Sequence, residues 1–153
     1  MDTKSTVVTT ALIQGLFQIY PGEAAKLLTD LPVKEIIRIL QNEPVSSSVA
    51  VFERLDPDIA AELIRDMESE YFFQLFTIIN PTRGASLLSR LDKDTAENLL
   101  ALLPPGIAKE YQELMTYPPE SAGNLMDPRV AIFREDNIVE EVLLRIRAIH
   151  DRR

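Results

Sequence analysis

The chain of 153 residues contains no cysteine, no tryptophan and a single histidine. Without cysteine it can form no disulfide bond and no thiolate metal site, and it has no cysteine nucleophile. One histidine, His150, is too few for a zinc site or for most histidine-based catalysis. The sequence also has no Gly-rich phosphate loop and no nucleophile–base pair, so we expect a protein that is not an enzyme.

Basic residues are in the minority, with 16 Lys and Arg against 24 Asp and Glu, for a net charge of −8. This balance argues against binding to nucleic acid or to an anionic membrane surface, both of which attract basic proteins. No apolar stretch approaches the ~20 residues of a transmembrane helix, and the N-terminal residues lack the order of a secretion signal. We therefore expect a cytoplasmic chain that does not itself span a membrane, with cations or basic protein surfaces as partners.

The chain does contain a twelve-residue repeat. The residues on its grid are Ile19, Leu31, Leu55, Met67, Ile79, Leu91, Leu103 and Met115, and the one polar slot is Glu43. Five residues after a slot the residue is usually small or apolar, and further apolar residues follow at offsets eight and nine. Offsets five, eight, nine and twelve form one stripe of an α-helix. Prolines preceded by Asp or Asn mark helix starts.

This repeat predicts about eight short helices between residues 20 and 117. Such helices do not persist alone in water, so they must pack against one another. We expect an all-α fold, a superhelical α-solenoid, in which small residues at offset five let helices approach closely. An irregular helical domain is the alternative. Residues 1–19 are predicted to be a helical N-terminal segment.

The pattern changes after Tyr117. A loop leads to RVAIF at 129–133, which is typical of a short strand. A helix follows at about 137–148, with an apolar stripe of Val139, Val142, Leu143 and Ile146. One strand and one helix cannot close a sheet domain, so we interpret residues 118–153 as a linker and the beginning of a second, incomplete domain.

The short-helix repeat followed by YPPESAGNLM at 117–126 resembles the N-terminal domain of MgtE-type magnesium transporters and its junction with the next domain. DPRVAIFREDNIVEEVLLRIR is similar to the start of the first cystathionine-β-synthase (CBS) domain of that family. The resemblance implies a division into an N-terminal segment (1–19), the superhelix (20–117) and the start of a CBS domain (118–153). The repeat by itself also resembles flagellar motor switch proteins, so a protein-interaction scaffold without metal sensing is the alternative function.

The resemblance implies a regulatory role. In MgtE-type transporters the superhelix and the CBS domains form a sensor on the cytosolic face of the membrane. Mg²⁺ bridges acidic residues of the two domains, and the ion-loaded state closes the transmembrane pore. The implied partners are therefore the CBS and transmembrane domains of a full-length transporter. Leaving the apolar stripe after Tyr117 in water is unfavourable. We therefore predict a homodimer through residues 128–150, in which the stripes of two copies bury each other.

Two groups of acids are candidate Mg²⁺ ligands. Asp58, Glu62 and Asp66 stand at i, i+4 and i+8 of one helix, where a cation would relieve the repulsion of like charges. The alternative is a solvated helix face. The resemblance singles out Glu62, which stands where the family places a bridging acid.

The second group is Asp92, Asp94 and Glu97. Asp94 matches an acid of the family in the first turn of this helix, whereas Asp92 suits an N-cap equally well. Because the family completes these sites with acids from the CBS domains, we expect only weak Mg²⁺ binding by the residues of this chain.

Overall fold

The structure is a computed structural model that describes residues 3–117, 121, 133, 135 and 137–150. Within these residues every regular element is an α-helix. The ten helices are α1 (Thr3–Ile19), α2 (Pro21–Thr29), α3 (Val33–Gln41), α4 (Val45–Phe52), α5 (Pro57–Asp66), α6 (Ser69–Ile78), α7 (Pro81–Leu88), α8 (Lys93–Leu100), α9 (Pro105–Met115) and α10 (Val139–His150). None of the described helices is long and apolar enough to cross a membrane.

Several helix starts follow from side chains that cap them. Asp56, Asn80 and Asp92 stand immediately before α5, α7 and α8, and each accepts a hydrogen bond from a backbone N–H two or three residues further on, at 2.9–3.1 Å. Such caps satisfy N–H groups that have no partner within the helix. Pro57 and Pro81 occupy the first helical position, where no N–H is needed. These contacts explain why α5, α7 and α8 begin where the sequence predicts.

The helices pack in two interleaved rows. α3 packs on α5, α5 on α7 and α7 on α9, while α2 packs on α4 and α4 on α6. α1 covers α2 and α4 at the N-terminal end. α2, α3, α4, α5 and α7 thus each pack on the next but one along the chain, which is the arrangement of a helical solenoid. The predicted all-α superhelix of eight short helices between residues 20 and 117 is confirmed.

The buried stripe lies where the repeat predicts it, except near the ends. At offset eight the residue is buried in α4, α5, α6, α7 and α9 and half-buried in α3 and α8. In α2 it is Leu27, whose side chain is 62% exposed, so the prediction of a buried Leu27 is wrong. α2 packs on α1 and α4, and this packing leaves the Leu27 side chain exposed.

A glycine at offset five allows a close contact between two helices. A Cβ atom at Gly84 of α7 would lie 2.6 Å from Cε1 of Tyr111 on α9. The Tyr111 ring is buried there, and its hydroxyl donates a hydrogen bond to the carbonyl of Phe76 at 2.8 Å. The absence of a side chain at Gly84 is therefore what allows α9 to approach α7.

Beyond Tyr117 the predicted helix is present as α10. Of its apolar stripe, Val139, Leu143 and Ile146 are exposed and Val142 is half-buried. Of the predicted strand, residues 129–132 lie outside the described residues, and Phe133 belongs to no helix or strand. The start of a CBS domain at 118–153 therefore stays a prediction.

Candidate metal-binding surface

The outer face of α5 carries three carboxylates. Asp58, Glu62 and Asp66 are all exposed, while Leu63 and Ile64 on the inner face are buried. The inner residues hold the helix against the core, and this fixes which side faces outward. The three acids therefore stand along one solvent-facing side of a rigidly packed helix.

Asp58 is held by an arginine from a later repeat. Its Oδ1 lies 2.6 Å from Nη1 of Arg90, although the Asp58 side chain remains 84% exposed. Exposed ion pairs contribute ~0–1 kcal/mol, so a cation could displace this arginine at little cost. In the structure, however, Arg90 already supplies the positive charge that the sequence pattern assigned to a metal ion.

The N-terminus of α8 carries the second group of acids. Asp92 accepts hydrogen bonds from the backbone N–H and the hydroxyl of Thr95, and these lower the pKa of Asp92 below its usual range. Asp94 is exposed in the first turn. Glu97 lies 3.7 Å from Nζ of Lys93 in an exposed pair. Asp92 is thus the N-cap of α8, which is the alternative that the sequence offers to a role as a metal ligand.

Two contacts place the acidic face of α5 beside the start of α8. The first is the pair between Asp58 and Arg90, because Arg90 stands two residues before Asp92. The second is electrostatic: the charge of Arg65, near the end of α5, contributes to lowering the pKa of Asp92. The two candidate groups, which are about 30 residues apart in sequence, therefore share one side of the solenoid.

Three of the six candidate acids have no hydrogen bond or ion pair with other described residues: Glu62, Asp66 and Asp94. In the same part of the chain, no three acidic or histidine side chains come together in a group that could hold a metal ion. Carboxylate oxygens are the ligands that Mg²⁺ prefers, and Mg²⁺ commonly uses one or two of them with several waters. The donor set fits a hydrated Mg²⁺ but does not complete a site.

Comparison with known proteins decides the family. The family model described as the MgtE intracellular N domain matches residues 19–120. This chain belongs to the MgtE intracellular N domain family. No curated protein sequence matches the chain.

Two solved structures are similar to this MgtE N domain. One is the cytosolic domain of the Mg²⁺ channel MgtE in complex with ATP, with a TM-score of 0.79 and 26% identity over 94% of this chain. The other is the soluble part of a magnesium transporter, with a TM-score of 0.52 and 20% identity over 93% of this chain, a likeness of fold alone. The chain spans 59% and 61% of the lengths of those two proteins.

In this MgtE N domain, one acid near the candidate surface has a structural role that the sequence did not indicate. Oε1 of Glu53 accepts a hydrogen bond from the backbone N–H of Asn80 at 2.7 Å. Nearby, Nη2 of Arg83 donates to the carbonyl of Leu55 at 2.6 Å. Burial lowers the pKa of Arg83, and the charge of Arg90 lowers it further. These contacts join residues 27 or 28 apart in sequence, so no local spacing predicts them.

A groove of about 550 Å³ lies between α8 and α9 of the N domain. Its lining is mainly apolar, from Leu88, Leu91, Ala96, Leu100 and Met115, with Lys93 and Glu97 among its polar residues. An apolar groove does not suit a hydrated cation, which needs oxygen ligands. The groove therefore differs in chemistry from the acidic surface on α5 and α8, although Glu97 belongs to both.

Proposed function

We propose that this chain is the cytosolic regulatory domain of an MgtE-type magnesium transporter or channel and senses intracellular Mg²⁺. Membership of the MgtE intracellular N domain family is the observation that carries the proposal. The exposed carboxylates of Glu62 and Asp94, which have no ion pair with any described residue, support it from one side of the solenoid.

Glu62 and Asp94 would be the main Mg²⁺ ligands, with Asp66 close by. Asp58 would join them only after giving up Arg90, and Asp92 and Glu97 are already engaged with Thr95 and Lys93. Bound Mg²⁺ would neutralise carboxylate charge and allow a second acidic surface to approach. The remaining ligands would come from outside residues 1–117, so that ion binding and domain association occur together.

The rest of the assembly forms part of the same proposal. Residues 118–153 would be the linker and the beginning of a CBS domain, and the CBS and transmembrane domains would be the partners of the superhelix. A homodimer through α10 would cover Val139, Leu143 and Ile146, which are 45–72% exposed. Light scattering tests the dimer: a protein that stays monomeric well above micromolar concentration excludes it, as does a dimer unchanged by Ile146→Asp.

Amide NMR during a Mg²⁺ titration tests the ligands. We expect weak binding, in the millimolar range, with the largest chemical-shift changes at Glu62 and Asp94, because two carboxylates hold a strongly hydrated ion poorly. Glu62→Gln and Asp94→Asn should each reduce the shifts, whereas Glu35→Gln, an exposed acid of α3, should leave them unchanged. Micromolar binding would exclude a site shared between domains. Shifts unaffected by both ligand variants would exclude these residues.

A further inference from the structure

The polar slot of the twelve-residue repeat holds a buried carboxyl group. Glu43, between α3 and α4, is only 6% exposed, which is comparable to the apolar residues in five other slots: Leu55, Met67, Ile79, Leu91 and Leu103. Its side chain makes a hydrogen bond with Gln14 of α1, and its Oε2 has no hydrogen-bond partner among the described residues. The repeat therefore places an acid where it otherwise places leucine, isoleucine or methionine, directly beneath the N-terminal helix.

Among the side chains that the structure describes, no charge of opposite sign faces this carboxyl group from the helices around it. The described side chains of α1, from residue 11 to 19, and those of α4 include no ionisable group. Lys4 of α1 stands ten positions before Gln14, about 15 Å along the helix axis. On α2, Glu23 and Lys26 are exposed and pair with each other at 3.0 Å.

The titratable groups of the other two neighbouring helices do not supply a counter-charge either. Lys34, Glu35 and Arg38 of α3 are exposed. Tyr71 of α6 is buried with its hydroxyl on the carbonyl of Leu40, and burial raises its pKa, so it stays neutral. An ionised Glu43 would therefore be buried with one neutral amide as its partner, which is costly unless the group reaches water.

We propose that Glu43 controls the packing of α1 by its protonation. The protonated carboxyl fits beneath α1, whereas the ionised carboxylate is hydrated only when α1 moves away from α2 and α4. The arrangement of residues is suited to this because α1, the first described helix, packs on α2 and α4. α1 can open while the rest of the solenoid stays folded, since each unit contacts mainly its neighbours.

The direction of the effect follows from linkage. Burial raises the pKa of Glu43 above its ordinary value of 4.5, and the hydrogen bond from Gln14 opposes this increase only in part. The closed state therefore binds the proton more tightly than the open state. Packing of α1 is strongest below the ordinary pKa and weakens as the pH rises through the raised value. Each unit between the two pKa values changes the opening constant tenfold once the group is ionised.

Hydrogen exchange of the α1 amides at about pH 5 and about pH 8, corrected for intrinsic rates, tests the proposal. In the wild-type protein the protection of α1 should fall at the higher pH, while the amides of α9 stay unchanged. Glu43→Gln should remove the fall and raise the protection of α1 at the higher pH. Gln14→Ala should make the fall in α1 protection larger, because the ionised Glu43 loses its one hydrogen bond. Glu35→Gln, the exposed control, should behave as the wild type.

Protection of α1 that does not depend on pH in the wild type would overturn the proposal, and so would a fall that persists in Glu43→Gln. An equal fall in α9 would also overturn it, because the effect would then be global. Carbon NMR titration of the Glu43 carboxyl in the wild type is independent of every variant. We expect its midpoint to lie above 4.5, the ordinary value for a glutamate, and a midpoint at or below that value would exclude the mechanism.

Discussion

Replacement of Gly84 by alanine should destabilise the protein, although alanine is the better helix former. The new Cβ would lie 2.6 Å from Cε1 and 2.8 Å from the hydroxyl oxygen of Tyr111. Tyr111 cannot move aside freely, because its ring packs on Phe76 with centroids 5.9 Å apart and its hydroxyl donates to the Phe76 carbonyl. Either α9 must shift away from α7 or the buried hydrogen bond must break.

The magnitude follows from three opposing effects. Alanine in a helix interior is favoured over glycine by ~1 kcal/mol. Forcing an extra methyl group into a packed contact costs ~1–3 kcal/mol. Loss of the hydrogen bond to a buried carbonyl adds about 1 kcal/mol. We therefore expect Gly84→Ala to lower the free energy of unfolding by about 1–3 kcal/mol, against the sign that helix propensity alone would give.

Urea unfolding followed by circular dichroism measures this change. The matched control is Gly15→Ala in α1, where a Cβ meets nothing within 4 Å and should stabilise the protein by up to ~1 kcal/mol. Tyr111→Leu should cost less in the Gly84→Ala background than in the wild type, because the clash is then absent. A Gly84→Ala protein as stable as the wild type would refute the close approach of α7 and α9.

Two further substitutions test the buried stripe and a helix cap. Leu63→Ala should lower the free energy of unfolding by ~2–5 kcal/mol in urea melts, because the side chain is fully buried. Leu27→Ala, at the same repeat position but exposed, should change it by less than ~0.5 kcal/mol, and equal effects would contradict the burial. Asp92→Ala should lower stability at neutral pH. Hydrogen bonds lower the pKa of Asp92 in the folded state from its ordinary value of 3.8. The difference in free energy of unfolding between the variant and the wild type should therefore stay constant above pH 3.8 and become smaller below it. A difference that grows in acid would contradict the role of Asp92 as a cap.

The helices could be predicted because their signals are local. Asp56 before Pro57 and Asn80 before Pro81 cap helices with residues that stand next to the helices they start. The stripe through Leu63 is set by the period of the α-helix, which is also local. Even the small residue at Gly84 was correctly expected to mark a close helix contact, although its partner, Tyr111, could not be identified from spacing.

The features that the sequence does not predict correctly depend on contacts between residues far apart in the chain. Leu27 has the repeat position of a buried residue, but its burial depends on whether a neighbouring helix covers it, and the packing of α2 on α1 and α4 leaves it exposed. The burial of Glu43 could not be predicted, because glutamate is rarely buried and its partner, Gln14, is 29 residues away. Asp58 was correctly placed on the outer face of α5, but its pairing with Arg90 depends on the packing of separate repeats.

The sequence predicts that the candidate ligands are exposed acids. It does not predict whether they come together in a metal site. A pattern of i, i+4 and i+8 places carboxylates on one helix face, and it does so equally for a solvated surface. Some of these acids have partners: Asp58 pairs with an arginine, Glu97 with a lysine, and Asp92 accepts from a backbone N–H group. Only these contacts, which the sequence does not predict, distinguish them from Glu62 and Asp94.

We propose that Glu62 and Asp94 sense Mg²⁺ for a transporter. The most direct test measures ion conduction, as a function of cytosolic Mg²⁺, through a transporter that contains this domain with Glu62→Gln and Asp94→Asn. We predict that the double variant conducts at Mg²⁺ concentrations that close the wild type, and that Glu35→Gln closes with the wild type. Closure of the double variant at the wild-type Mg²⁺ concentration would contradict the claim.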